Sequence, residues 1–149
     1  MSTMFRIPLA AGALFGLMQG AFAQDARPAA PPRGGIVVEL NKLEPAGGAC
    51  RSYFIVTNGS PEALKELRLT VYLFDKTGVI LRSMSLTFND IRAERSKIVL
   101  FELPETNCAD LGRLVVNEVT SCTTAAGAPL ANCTGLMAAR TRAPVEFAY

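Results

Sequence analysis

The chain contains no histidine and no tryptophan in 149 residues. Without histidine there is no Ser–His or Cys–His nucleophile pair, no His-ligated zinc and no imidazole general base. The chain also lacks a G-x-S-x-G elbow, a P-loop, a dinucleotide fingerprint and an EF-hand loop. Its carboxylates, among them Glu39, Glu66, Asp75, Asp90 and Glu146, are scattered and form no paired motif of the glycosidase kind. Glu118 interrupts an apolar run, and alternation points it to solvent. Met84 and Met137 are too few for a methionine copper site and suit core packing instead. No cofactor, no metal and no enzymatic activity are expected. Lys and Arg number 15 against 13 Asp and Glu, so there is no basic footprint for nucleic acid. Half the residues are apolar, which excludes global disorder.

No later stretch resembles the first 23 residues. Arg6 precedes an apolar run of twelve, from Ile7 to Met18, and Ala21-Phe22-Ala23 forms a small-x-small cleavage site before Gln24. Twelve helical residues span roughly 18 Å, short of the ~30 Å hydrocarbon core. The segment therefore reads as a cleavable secretory signal rather than an anchor. A single arginine does not support a twin-arginine signal. Beyond it no run reaches 18 apolar residues, so no integral membrane segment is expected after cleavage and the periplasm is the expected compartment. Cleavage leaves 126 residues with 14 basic and 13 acidic side chains, a length suited to one domain with one core. Residues 24–35 hold Pro28, Pro31, Pro32, Gly34 and Gly35 without apolar period, which predicts a flexible leader before a domain at 36–149.

From Ile36 onward the apolar period is two. Strands are expected at 36–43, 50–57, 65–75, 79–88, 96–103 and 113–122, with a seventh at 144–149. Pro45, Gly47, Gly48 and the Asn58-Gly59-Ser60-Pro61 turn separate the first of them. Asn58-Gly59-Ser60 spells a glycosylation sequon, but turn chemistry accounts for it. Any helix is confined to a turn or two near 61–65 or 107–112. Six or seven short strands predict an all-β, immunoglobulin-like antiparallel sandwich.

Asp75-Lys76-Thr77-Gly78 predicts a three-residue hairpin loop with glycine in the left-handed position, pairing Asp75 with Val79. Counting back sets Phe74 against Ile80, Leu73 against Leu81, Tyr72 against Arg82 and Thr70 against Met84. One face then carries Leu67, Leu69, Val71, Leu73 and Leu81. The other carries Arg68, Tyr72, Phe74, Ile80, Arg82 and Met84, with Leu86 and Phe88. That second face is too apolar for open solvent. Either residues 144–149 or the Cys133 segment covers it, or a partner does, since aromatics beside arginine are the composition of interface hot spots.

Cys50, Cys108, Cys122 and Cys133 form an even set in an exported chain, so two disulfides are expected. Cys122 and Cys133 flank a ten-residue loop that a bridge would tie down, which leaves Cys50 for Cys108. The spacings lack the Cys-x-x-Cys of a redox site and the two close pairs of a Cys₄ zinc site.

Several runs carry a resemblance: Val38-Glu39-Leu40-Asn41-Lys42-Leu43-Glu44-Pro45, Ala49-Cys50-Arg51-Ser52-Tyr53, Leu73-Phe74-Asp75 with Gly78-Val79-Ile80, and Cys108-Ala109-Asp110-Leu111-Gly112-Arg113 leading to Val116-Asn117-Glu118-Val119 and Cys122. Together they resemble a group of small exported alphaproteobacterial proteins. Leu73-Phe74-Asp75 also resembles FxLYD-type and immunoglobulin-like sandwich domains. The resemblance implies a periplasmic sandwich with disulfides and supplies no catalytic residue. The expected function is a non-enzymatic periplasmic binding or accessory module for another envelope protein. One alternative is an outer-membrane or cell-wall structural component, since Val145, Phe147 and Tyr149 alternate as in the last strand of a barrel. A thiol/disulfide-active protein is the other.

Overall fold

The computed structural model describes residues 34–149. The expected signal peptide, and the expected leader up to residue 33, lie outside the described residues.

Eight strands and one helical turn follow in the order β1 (Ile36–Ala46), β2 (Ala49–Asn58), β3 (Leu64–Asp75), β4 (Ile80–Ile91), β5 (Arg95–Leu103), β6 (Leu111–Thr124), α1 (Cys133–Leu136), β7 (Met137–Thr141) and β8 (Glu146–Ala148). They build two four-stranded sheets, ordered β5-β2-β1-β7 and β4-β3-β6-β8. The class is the all-β two-sheet sandwich that the period-two pattern predicts. All six internal strands lie where alternation places them, within a few residues. β2 is the plainest case, because every second residue from Cys50 to Asn58 is buried. Both disulfides, Cys50–Cys108 and Cys122–Cys133, have the expected partners.

The sheets close over one core. Phe54 of β2 makes edge-to-face contacts with Phe88 of β4, Phe101 of β5 and Phe147 of β8, at centroid distances of 6.0, 5.8 and 5.5 Å. Edge-on geometry sets the positive ring rim against the negative face, the favoured arrangement for aromatic pairs. Leu67, Leu69, Val71 and Leu73 supply the same core from β3, fully buried. The one buried hydroxyl of β2, Ser52, donates to the Phe101 carbonyl at 3.0 Å.

Three expectations are corrected. The strand count is eight, because Met137-Ala138-Ala139-Arg140-Thr141 forms β7 without any apolar alternation to announce it. β7 runs parallel to β1 and β8 parallel to β6, so the sandwich is antiparallel only in its other four pairings. The helical turn lies at Cys133–Leu136, not near 61–65 or 107–112.

Asn58 is no glycosylation acceptor in this fold. It is fully buried. Its Oδ1 accepts from the Ser60 N–H at 3.0 Å, and its Nδ2 donates to the Glu62 carbonyl at 2.8 Å and the Arg92 carbonyl at 3.3 Å. The side chain thus pins the end of β2 to the turn after β4.

Candidate interaction face

The β3–β4 turn forms as the sequence predicts. The Asp75 N–H donates to the Val79 carbonyl at 2.9 Å, and Gly78 holds a φ of 88°, where a side chain would be strained. One Asp75 carboxylate oxygen accepts from the Thr77 N–H, the Thr77 hydroxyl and the Val79 N–H, at 2.8, 2.7 and 2.9 Å. These donors, the Thr77 hydroxyl first, hold the Asp75 carboxyl below its ordinary range. Behind the turn, Gly112 lets β6 approach closely, because a Cβ there would stand 2.4 Å from the Asp75 carbonyl oxygen.

Beyond the turn the register departs from simple counting. Phe74 opposes Ile80, but Leu73 opposes Arg82 rather than Leu81, and Tyr72 opposes Ser83 rather than Arg82. Leu81 is an extra residue, a bulge that shifts β4 by one. A shift of one turns every later side chain to the other face. Arg82, Met84, Leu86 and Phe88 therefore join the side of Leu67, Leu69, Val71 and Leu73. Leu86 and Phe88 are fully buried there, and Met84 is packed partly against the core. Arg82 stands at the rim, where its guanidinium donates to the Pro104 carbonyl and lies 3.7 Å from Glu105. Arg82 and Met84 are thus corrected out of the expected face.

Arg68, Tyr72, Phe74 and Ile80 remain together on the outer side of the β4-β3-β6-β8 sheet. The row nearest the turn runs Ile80, Phe74, Arg113, Glu146, and the next runs Ser83, Tyr72, Val115, Ala148. The Arg113 guanidinium lies 4.5 Å from the centre of the Phe74 ring. Such a cation–π contact holds both groups in place without burying either. Tyr72 and Phe74 are half-buried, while Val79 and Ile80 are 61% and 55% exposed. Farther along, Arg68 bonds Glu66 at 2.8 Å. The Ser121 hydroxyl, then Arg68, holds the Glu66 carboxyl below its usual range.

Residues 144–149 do not cover this face. β8 lies beside β6 and turns Phe147 into the core, and Val145, just before the strand, is buried as well. Arg113 and Val115 complete the face and escaped sequence reasoning. The only signal for them is their parity in β6, opposite to the buried Leu114 and Val116. A second apolar patch, also missed, lies on the outside of the other sheet. There Tyr53 opposes Leu100 and Ile55 opposes Ile98, which is 69% exposed. Both residue parities of β2 and β5 are apolar, so alternation alone did not reveal it. Among the described residues, no three acidic or cysteine side chains gather closely enough to hold a metal ion.

These features define a disulfide-stapled sandwich with an aromatic–arginine face on one sheet. No protein-family profile matches the chain, and no curated protein does. A solved structure, that of IrmA from Escherichia coli, is similar over 70% of this chain and 90% of its own, with a TM-score of 0.53 and 18% identity. At that identity the likeness speaks to the fold alone.

Proposed function

We propose that this protein is a non-enzymatic periplasmic module that docks another envelope protein on the outer face built from Tyr72, Phe74, Ile80, Arg113 and Val115. The observation that carries the reading is the Phe74–Arg113 stack beside the open Val79 and Ile80. Aromatics held rigid at a surface bury much area at little cost in rotamer freedom. Two disulfides and no free cysteine among the described residues suit an oxidising compartment, in line with the secretory signal read at residues 1–23. Cys50 and Cys133 are buried, which argues against thiol exchange as the activity. Val145 and Phe147 face a packed interior, which argues against an outward apolar barrel band.

Envelope fractionation tests the compartment, and retention in the membrane fraction would overturn it. Cross-linking within the envelope tests the face. Tyr72→Ala and Phe74→Ala should each abolish capture of the wild-type partner, whereas Ile98→Ser, on the opposite sheet, should leave it intact. Capture that survives both aromatic substitutions refutes the assignment.

A further inference from the structure

A sandwich of two open sheets has four edges, and three of these are closed to added strands. β7 and β8 offer only five and three residues. β5 turns Lys97 toward the inner side, in register with buried Val56, and its ammonium bonds the Asn89 carbonyl. Short edges and inward charges are the usual guards against edge pairing. β4 has neither. Its residues 83–88 run Ser-Met-Ser-Leu-Thr-Phe in unbroken register with β3, with no charge, proline or glycine. Beside this stretch Met84, Val99 and Phe101 are only partly buried, although they pack against the core. They line a seam between two straps, Arg82 on the Pro104 carbonyl and Lys97 on the Asn89 carbonyl.

We propose that two copies of this chain associate by antiparallel pairing of their β4 edges about a twofold axis at Ser85. Charge selects this occupant. β4 carries one cation, Arg82, near its start and one anion, Asp90, near its end. Antiparallel pairing brings the end of β4 that holds Arg82 in each copy to the end that holds Asp90 in the other, at both ends of the contact. The register keeps outer residues with outer and inner with inner: Ser83 meets Thr87, Ser85 meets Ser85, and Met84 meets Leu86. Hydroxyl–hydroxyl and aliphatic pairs of this kind stabilise a ladder. The outer side of the edge is built of small hydroxyls with no pockets for alternate side chains, so it gives a foreign peptide little to select on. The product is one eight-stranded sheet that covers the Met84–Val99–Phe101 seam in both copies.

Sedimentation equilibrium on the purified protein, both disulfides formed, should give a reversible dimer. Ser85→Lys places like charges directly opposite and should raise the dissociation constant at least ~10-fold. Ser85 is exposed, so the melting temperature of the dilute monomer should not move. Under mild oxidation Ser85→Cys should yield a cross-linked dimer and Ser83→Cys should not, because only Ser85 meets itself. Should Ser85→Lys lower monomer stability, the cross-linking pattern decides. A protein still monomeric at ~100 µM overturns the proposal, as does a dimer that Ser85→Lys leaves unweakened or that Ser83→Cys traps equally well.

Discussion

Phe147→Ala should be the most damaging single truncation near the end of the chain. Phe147 belongs to a three-residue strand, yet it is 5% exposed and sits edge-on to Phe54 at 5.5 Å. Truncating a buried Phe costs ~3–5 kcal/mol in transfer and cavity terms. Unfolding entropy of roughly 2.1 cal/mol/K per residue makes each kcal/mol worth about 4 °C for a domain of this size. The melting temperature should therefore fall by about 12–20 °C. The assay is calorimetric melting, with mass spectrometry confirming both disulfides. Tyr149→Ala is the control, because Tyr149 is 50% exposed and its loss should cost under ~0.5 kcal/mol. A fall of less than about 4 °C for Phe147→Ala would mean that β8 is not part of the core.

Three further outcomes follow from the geometry. Replacing both Cys122 and Cys133 by Ser should cost ~3 kcal/mol, and replacing Cys50 and Cys108 by Ser ~4 kcal/mol, since the loops closed differ in length; urea titrations that rank them in reverse refute the loop argument. Asn58→Ala leaves the Ser60 N–H and two carbonyls without their partner and should cost roughly 2–3 kcal/mol by the same titration, with a loss under ~0.5 kcal/mol counting against the pinning role. The Asp75 carboxyl is lowered in the fold, so its stabilisation is present above the unfolded carboxyl range and is lost as pH falls through the lower folded value. Asp75→Asn should flatten that acid limb of the melting-temperature profile, and an unchanged limb would place the acid lability elsewhere.

The sandwich and both disulfide pairings were legible because each rests on a local rule. Strict alternation in residues 50–57 and 65–75 marks strands half-turned to a core. Asp75-Lys76-Thr77-Gly78 fixed its own turn through the Asp75 carboxylate. What failed lay one residue beyond that turn. Leu81 has no sequence mark of a bulge, yet it moves Arg82 and Met84 to the core side and leaves Tyr72 and Phe74 outside. Arg68, Tyr72, Phe74 and Ile80 stayed together, since none of them depends on register beyond the bulge. β7 was invisible for another reason. Met137–Thr141 docks by its backbone along β1, and its side chains carry little of the pattern that periodicity detects.

The parallel pairing of β7 with β1 bears on the order in which the chain can fold. Ile36 meets Met137 across about a hundred intervening residues, and β8 delivers Phe147 to the Phe54 ring of β2. Neither sheet is complete until these late segments arrive, so a nascent chain ending before them exposes the flank of β1 and an unfilled core. Contacts of such long sequence range slow folding, because loop closure must precede the gain. Neither sheet can therefore close until the segment from Met137 to Ala148 is at hand, which makes the last strands of the chain the ones that complete the fold.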